Sequence, residues 1–560
     1  MCNKEYTKKI ILLVIVLIGG LSWINFYFWM PTLSFNFIGI WIYLFLLFLI
    51  LYIGIFLIIE ENSNNWECDN KIKQKWIQRK KKFEKTYKYV GLIFIIFLFY
   101  VFTITTPMFH AKQYKTMIEP IKTIDLKKDD TLKVSLTHIR IVDQENAKLL
   151  GDKKLGEKLG LGSQYLIGEY HIQKVNDELF WVAPLEYKGF FKWLGDHKGT
   201  PGYIMVSAQN SKNVKLMLDI KGKSLHMKYL ESAFAYENIE RYVYTHGYNH
   251  VGITDFTFEI NDNFEPYYVI SIYEHKVGFS GANVKGILVV NVQTGNIKKY
   301  SLKNIPKWID RVEPEDIIRT QLNDRGLYIN GWINSLSIFE QKDVSKLTDG
   351  TKLVYGTDGN AYWYSGLTSI GKDNSIIGIL LTNARTKETF FYKQSGATEK
   401  AAMRSAEGKV QEKHYNSTFP SLYLIEGVPT YVMTLKDNEG LVKLFAMVSV
   451  EKYEIVGVGT TLKSALRDYK SVMYTQGNNL QQSNSVLKTI KGQIFRIGSN
   501  TRGGITYYYI VLNGDKHIYV ANSNVSDELP LSEKSDNIKI KIKGGKNKVI
   551  DLLFFDNLNL

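Results

Sequence analysis

Cysteine is almost absent from this chain of 560 residues, which has only Cys2 and Cys68. Both precede residue 90, so the long region that follows contains no thiol. A disulfide framework and a cysteine nucleophile are therefore excluded for that region, and its domains must be held together by hydrophobic cores. With 45% hydrophobic and 22% charged residues, the chain is long enough for several such cores.

Charge is missing from residues 10–59, which contain no Asp, Glu, Lys or Arg. Met30 and Pro31 divide this run into two apolar pieces, and a third apolar segment extends from Val90 to Thr106. A helix of about 20 apolar residues crosses a hydrocarbon core about 30 Å thick. The sequence therefore predicts three transmembrane helices, at about 10–30, 37–59 and 90–107.

Lysine and arginine are concentrated on one side of these segments. The N-terminus carries Lys4, Lys8 and Lys9, and the connecting loop 60–89 contains nine Lys or Arg. Because positive charge favours the cytoplasmic side, we expect the N-terminus and this loop in the cytoplasm and the residues after about 107 outside the cell. No small-residue cleavage site follows the first apolar segment, so we expect an uncleaved, multi-pass anchor in the cell membrane of a bacterium.

Catalytic and nucleotide-binding motifs are also missing. The segment from Gly278 to Ala282 lacks the last glycine of a G-x-S-x-G elbow, and the glycines within 159–163 and 457–461 lack the Lys-Ser or Lys-Thr pair of a phosphate-binding loop. The sequence therefore assigns no catalytic, cofactor-binding or metal-binding residue and no cofactor, and it predicts that the chain is not an enzyme. The scattered acidic residues are expected to cap helices and face solvent, among them Glu313 with Glu315 and Asp527 with Glu528.

The region after residue 107 repeats one pattern four times: a helical stretch, a strand, a tight polar turn, an aromatic strand and a further strand. The clearest copy includes Phe258 to Tyr273, where alternating side chains flank a turn at Asn261 to Asn263. A three-stranded antiparallel sheet cannot bury its apolar face alone, so we expect a helix to cover each one. The predicted fold class is α+β, with three N-terminal transmembrane helices, tandem αβββ modules with antiparallel sheets, and a C-terminal small all-β domain.

The clearest copy reads "ITDFTFEINDNFEPYYVISIY", followed by "VVNVQTGNIKKY" with a small turn containing glycine. These residues resemble the PepSY family of small αβββ modules, which occur on bacterial envelope proteins and in protease propeptides. A second, less complete resemblance covers residues 422–469. The resemblance implies interaction more than reaction, because members of that family are described as binding or inhibitory modules.

The end of the chain has a different pattern, with strand after strand separated by Gly and Asn. This pattern is typical of a small closed barrel or sandwich, and we expect an OB-like barrel. The predicted boundaries are a membrane anchor at 1–107, a stalk or first strand at 108–145, αβββ modules at 146–227, 228–330, 331–396 and 397–477, of which the second and fourth are PepSY-like, and the small β-domain at 487–560.

Three histidines bracket the clearest copy of the repeat. His246 and His250 are four residues apart, and antiparallel pairing across the turn places His250 opposite residues near His275. Zinc would accept these imidazoles together with an oxygen from Asp255 or Glu274. Histidines at loop edges are more often solvated polar residues, so the metal site is the alternative interpretation: a metal-dependent envelope hydrolase, or a regulator of one, that uses His246, His250 and His275.

Aromatic residues are abundant, with 36 Tyr and 29 Phe, and clusters such as Phe190 to Trp193 require burial or a partner. We expect stacking of the modules to bury them. The formal net charge of +15 favours acidic partners, and nucleic acid is not expected outside the cell. The leading prediction is a non-enzymatic envelope protein that scaffolds or binds partners at the cell surface, in contact with the lipid bilayer, an envelope or membrane protein, and an anionic wall polymer.

Overall fold

A computed structural model describes residues 4–64, 70–126, 131, 139–196, 198–371, 374–425, 427–476, 487–502, 505–543 and 548–560. The helices are α1 (Lys4–Trp29), α2 (Ile38–Asn64), α3 (Asn70–Thr105), α4 (Pro107–Thr116), α5 (Gln144–Gly156), α6 (Leu161–Gln164), α7 (Phe190–Gly195), α8 (Ile239–Val243), α9 (Glu315–Leu327), α10 (Trp332–Ser335), α11 (Glu399–Gly408) and α12 (Leu462–Gln476).

Two of the described helical segments are long and apolar enough to cross a membrane: Ile38–Glu60 in α2 and Tyr89–Thr116, which covers the end of α3 and all of α4. These two candidate spans indicate an association with a membrane. The prediction of three spans is wrong for the part of the chain that the structure describes. Within the described residues, the apolar helix in α1 is Ile15–Trp29, which is shorter than the other two segments.

Helices α2 and α3 pack side by side and run in opposite directions. The ring centroids of Phe45 and Phe94 are 4.5 Å apart, and at the other end of the pair Glu60 of α2 lies 3.2 Å from Lys80 of α3. With 36 residues, α3 is about 54 Å long, so its basic first half extends well beyond a hydrocarbon core. The start of α2 and the end of α3 therefore lie at the same end of the helix pair.

Four antiparallel sheets follow, each of which runs as a meander along the chain. Sheet 1 contains β2 (Tyr165–Ile167), β3 (His171–Val175), β4 (Glu178–Tyr187), β5 (Tyr203–Ser207) and β6 (Val214–Met217), and a small hairpin of β7 (Asp219–Ile220) and β8 (Lys223–Ser224) follows it. Sheet 2 contains β9 (Gly252–Ile260), β10 (Pro266–Val277), β11 (Ser280–Asn291) and β12 (Ile297–Ser301).

Sheets 3 and 4 repeat this order with a broken first strand. Sheet 3 contains β13 (Ser345–Leu347), β14 (Lys352–Tyr355), β15 (Ala361–Ser369), β17 (Gly378–Asn383) and β18 (Thr389–Tyr392), and β1 (Ile121–Ile124) joins its edge in parallel with β18. Sheet 4 contains β20 (Asn416–Ser417), β21 (Ser421–Ile425), β22 (Val428–Lys436), β23 (Val442–Ser449) and β24 (Val456–Gly459). The short strands β16 (Ser375–Ile376) and β19 (Gly396–Ala397) pair beside them.

The sheets pack face to face in pairs, which corrects the predicted αβββ modules. Sheets 1 and 2 share one hydrophobic core, which includes Tyr203 and Tyr268, and sheets 3 and 4 share another, which includes Tyr364 and Tyr431. Each repeat thus has four strand positions, not three, and its inner face is covered by another sheet. A pattern of alternating residues specifies that one face is buried, but it does not specify whether a helix or a second sheet covers that face.

Helices cover the outer faces of sheets 3 and 4, and a largely irregular segment that ends in α9 covers that of sheet 2. The segment 305–317 packs on sheet 2, α9 packs on sheet 3 through Ile318 and Leu322, and α12 packs on sheet 4 through Tyr469 and Val472. The last five strands, where a small barrel or sandwich is predicted, form a closed barrel with the order β25-β26-β27-β29-β28. They are β25 (Leu487–Arg502), β26 (Ile505–Leu512), β27 (Ile518–Asn522), β28 (Asn537–Lys543) and β29 (Val549–Asn557).

Several ionisable side chains are buried where sheet 2 meets sheet 3. Glu259 of β9 is 3% exposed and accepts a hydrogen bond of 3.1 Å from the Thr257 hydroxyl, and burial raises its pKa to about 8. Burial also raises the pKa of Asp310 to about 6, although this carboxylate accepts hydrogen bonds from the Lys174 backbone N–H and the Tyr355 hydroxyl. The junction therefore favours the protonated form of Glu259 at neutral pH.

We expect Glu259→Gln to weaken the loss of stability at alkaline pH. Folded Glu259 holds its proton up to about pH 8, whereas the unfolded side chain releases it near 4.5, so the native chain loses stability as the pH rises through this window. The Tm of Glu259→Gln relative to wild type, measured for the full chain in detergent, should be higher at pH 8.5 than at pH 5.5 by at least about 2 °C.

The matched control is Glu439→Gln, because Glu439 is exposed to solvent in a turn of sheet 4. Its Tm difference from wild type should not change between the two pH values. A Glu259→Gln difference that stays constant with pH, or that grows towards acid pH, would contradict the assignment of a buried, protonated carboxyl group.

Candidate functional site

A cleft of about 400 Å³ opens where sheets 1, 3 and 4 approach one another. It combines cations, carboxylates and two aromatic rings contributed by distant parts of the chain. The principal lining residues are Arg140, Lys352 and Lys436, Asp143, Glu145 and Asp437, and Trp181 and Phe419.

Lys436 anchors one wall of this cleft from the end of β22. Its side chain is only 6% exposed, and its Nζ lies 2.7 Å from Oδ2 of Asp143 and 3.2 Å from Oε2 of Glu145. Asp143 is also the N-cap of α5 and accepts a hydrogen bond of 3.4 Å from the Asn146 backbone N–H. The cap residue of α5 thus connects sheet 1 to sheet 4 and neutralises a buried cation.

Arg140 and Lys352 are held differently, without a carboxylate partner. Arg140 donates from Nη2 to the Ser421 hydroxyl at 2.7 Å, and its guanidinium lies 5.9 Å from the Trp181 ring. Nζ of Lys352 lies 5.3 Å from the centroid of the Phe419 ring. Burial, followed by the charge of Arg140, lowers the pKa of Lys352. Among the described residues, no carboxylate lies within ion-pair distance of either cation, although the charges of Glu315, Asp143 and Glu145 partly offset the lowering of the Lys352 pKa. Both cations can therefore still pair with an anion.

Phe419 separates this cleft from a second pocket of about 230 Å³. Its ring packs so closely on Gly350 that a Cβ at residue 350 would lie 2.2 Å from a ring atom, which explains the need for glycine there. The second pocket adds three further cations, Lys346, Lys400 and Arg404. We call the six cations on the two sides of Phe419 the basic cleft: Arg140, Lys352 and Lys436 on one side, and Lys346, Lys400 and Arg404 on the other.

The second pocket also contains a buried carboxyl group. Glu399, at the start of α11, is 1% exposed and accepts a hydrogen bond of 2.7 Å from the Tyr364 hydroxyl. The Tyr364 hydroxyl lies 3.1 Å from that of Tyr431, so the network crosses from sheet 3 to sheet 4. Burial raises the pKa of Glu399. Lys400 pairs with Asp349, whereas Arg404 donates to the amide oxygen of Asn374 at 2.8 Å.

The three histidines singled out in the sequence do not form a metal site. His246 stacks on Tyr242, with ring centroids 3.9 Å apart, and its Nδ1 lies 2.7 Å from the Tyr242 carbonyl oxygen. His250 is exposed, and His275 packs 4.7 Å from the Phe37 ring in the connector between α1 and α2. Within the described part of the chain, no group of three or more His, Cys, Asp or Glu side chains is arranged to hold a metal ion.

The two expected oxygen ligands are also committed elsewhere. Asp255 forms an ion pair with Arg311 at the junction of sheets 2 and 3, and Glu274 pairs with Lys276 and Lys285 on the surface of sheet 2. The alternative interpretation of a metal-dependent hydrolase or regulator using His246, His250 and His275 is therefore wrong. Tyr273 of β10 pairs with Gly252 of β9, so the chain just after His250 does lie near His275. His250 itself precedes β9 and is not part of the sheet.

No family model and no curated protein matches the sequence. The PepSY resemblance therefore stays a prediction. Matches to solved structures include Bombyx mori GH32 beta-fructofuranosidase BmSUC1, at 11% identity over 73% of this chain and 70% of that one, with a TM-score of 0.16. They also include a mutant of B. megaterium levansucrase, at 8% identity over 76% and 97% of the two chains and a TM-score of 0.18, and a sialidase, at 8% identity over 76% and 47% and a TM-score of 0.13.

The leading prediction of a non-enzymatic scaffold built from αβββ modules is corrected by the fold, because the strands form paired sheets with shared cores. Tyr203, Tyr268 and Tyr364 are fully buried inside these paired sheets. The TM-scores are too low for a shared fold, so no reaction is assigned from these matches, and the prediction that the chain is not an enzyme stays a prediction.

We expect Lys436→Met to destabilise the fold, because it leaves the partly buried Asp143 without its cation. The expected loss is about 1–3 kcal/mol of unfolding free energy, measured by thermal or denaturant unfolding of the full chain in detergent. The control is Lys443→Met in the same sheet, where Lys443 pairs with Asp437 at the surface and no change in Tm is expected. Equal effects of the two substitutions would contradict a structural role for the buried ion pairs.

Proposed function

We propose that the protein is a membrane-anchored receptor that binds an anionic polymer of the cell envelope in the basic cleft. The observation that supports this most directly is a set of three cations that have no carboxylate within ion-pair distance in the described part of the chain: Arg140 and Lys352 on one side of Phe419 and Arg404 on the other. Arg140 and Lys352 are half-buried, and an external anion can provide the counterion that such cations favour.

The expected orientation in the membrane also supports this role. In the proposed topology α2 and α3 cross the membrane, the basic loop 60–89 is cytoplasmic, and the four sheets and the barrel lie outside the cell. In this topology the start of α2 and the end of α3 lie on the outer side of the membrane, together with the sheets. The contacts between residues 30–37 and sheet 2 agree with this arrangement. The proposed topology exposes the basic cleft to wall polymers and not to nucleic acid.

The chemistry of the cleft favours a chain of phosphodiester groups, as in a teichoic-acid-like polymer. The guanidinium groups of Arg140 and Arg404 can each donate two hydrogen bonds to one phosphate, and Lys352 adds a point charge between them. The Phe419 ring divides the cleft into two parts, so successive phosphates of one polymer can occupy both sides. A long, repeating anion fits this arrangement better than a single small anion.

The test is binding of a glycerol-phosphate oligomer to the full chain in detergent, measured by calorimetry at several salt concentrations. The wild-type affinity should fall steeply with salt, and Arg140→Gln or Lys352→Gln should each weaken binding by about tenfold, the equivalent of one charged hydrogen bond. Lys298→Gln provides the matched control, because Lys298 is exposed on β12 away from the cleft.

Neutral dextran should not bind to any of these proteins. Equal weakening by Lys298→Gln and Arg140→Gln would indicate a diffuse charge effect and would refute the basic cleft as the binding site. Binding that does not depend on salt would refute the anionic nature of the ligand.

A further inference from the structure

Five apolar residues form an exposed cluster at one end of sheet 1, and we call this cluster the aromatic patch. Phe191 is 84% exposed and Tyr236 is 68% exposed, which are high values for such large side chains. The cluster is contiguous, since the Phe190 ring lies 5.5 Å from Phe191 and 5.2 Å from Phe234. Its members are Phe190, Phe191, Leu194, Phe234 and Tyr236.

The local fold holds these side chains outward. Helix α7 begins directly after Gly189, whose φ of 92° turns the chain sharply away from the end of β4. Trp193, on the inner side of the same helix, donates from Nε1 to Oε2 of Glu237 at 2.7 Å and lies 5.6 Å from the Phe234 ring. One aromatic residue therefore fixes the helix, and its neighbours remain in contact with solvent.

The aromatic patch lies next to the end of α1, close to the connector that leads into α2. Arg241 donates to the carbonyl oxygen of Ala235, within the segment that carries Phe234 and Tyr236, at 3.4 Å. The same guanidinium donates to the carbonyl oxygen of Tyr27 at 3.1 Å and lies 3.9 Å from the centroid of its ring. Tyr27 is two residues from the end of α1, and the first candidate span begins at Ile38, soon after the connector.

This position brings the aromatic patch close to the level of the lipid headgroups. Aromatic side chains concentrate at that level because their rings are apolar while the boundary remains partly hydrated, and lysines nearby pair with phosphates. Lys192 is exposed beside the aromatic patch and can pair with a lipid phosphate. A soluble protein rarely exposes a contiguous cluster of this kind without an occupant.

We propose that the aromatic patch inserts into the headgroup region of the leaflet from which the start of α2 emerges, and that it fixes the tilt of sheet 1 against the membrane. The occupant is phospholipid. Insertion provides the region after α3 with a second contact with the bilayer, separate from the helices. The proposal does not depend on the ligand of the basic cleft.

The test uses the full chain in phospholipid nanodiscs, with Cys2 and Cys68 replaced by Ser and one new cysteine labelled with an environment-sensitive fluorophore. Labelled Phe191→Cys should be quenched at least about twofold when lipids with a nitroxide near the headgroup are included, as expected for a side chain about 5–10 Å deep. Leu531→Cys, at a 65% exposed residue of the barrel domain, serves as the control and should not be quenched.

Tyr236→Cys gives a second, independent reading from the other segment of the aromatic patch and should be quenched like Phe191→Cys. Since both native residues are largely exposed, neither substitution removes a core contact. Absence of quenching at both positions would overturn the proposal. A blue-shifted emission without quenching by nitroxide lipids would also overturn it, because it would show that protein, not lipid, covers the aromatic patch.

Discussion

The contact between the α1–α2 connector and the end of sheet 2 is the constraint on which the remaining architecture depends. The hydroxyl of Tyr244 donates to the carbonyl oxygen of Pro31 at 2.7 Å, and Phe37 packs 4.7 Å from His275. The end of α3 joins the same contact, because Thr105 Oγ1 accepts a hydrogen bond of 3.3 Å from the Phe279 backbone N–H. Sheet 2 thus packs directly against the connector before α2 and the end of α3.

The other layers are built outward from sheet 2. Sheet 1 shares its core on one face, and α9 with the segment 305–317 separates its other face from sheet 3. Sheet 4 packs on sheet 3, and α12 connects it to the barrel through an ion pair of 2.5 Å between Arg467 and Asp551. Because sheets 1 and 4 also meet, at Lys436 and Asp143, the basic cleft has walls on separate layers whose positions are fixed by packed cores.

Local features of the fold could be predicted from the sequence because short-range physics determines them. The turn at Asn176 and Asp177 has positive φ at both residues, 49° and 64°, as Asn and Asp allow in tight hairpins. Thr398 caps α11 by accepting from the Ala401 backbone N–H, and the helical pattern after Pro314 corresponds to α9. The apolar run of α2 was equally clear, since it contains no charge over the length of a span.

Long-range features could not be predicted in this way. Strand alternation did not reveal that sheets pack on sheets, and hydropathy alone predicted three spans, whereas two of the described helices qualify. The histidines attracted attention because zinc ligands have a recognisable spacing, whereas Arg140, Lys352 and Phe419 have none. These three residues come from separate sheets or loops, and they become a site only through tertiary packing, which leaves no periodic signal in the sequence.

The most direct test of this account is whether the connector touches sheet 2 in the membrane. The Leu33 backbone N–H donates to the carbonyl oxygen of Asn249 at 2.6 Å, so cysteines at these two positions lie within reach of a short thiol crosslinker. In a full chain with Cys2 and Cys68 replaced by Ser, Leu33→Cys with Asn249→Cys should form an intramolecular crosslink, and Leu33→Cys with Lys298→Cys should not. If mass spectrometry finds no link for the first pair, or equal linking for both, the docking of sheet 2 on the anchor is contradicted.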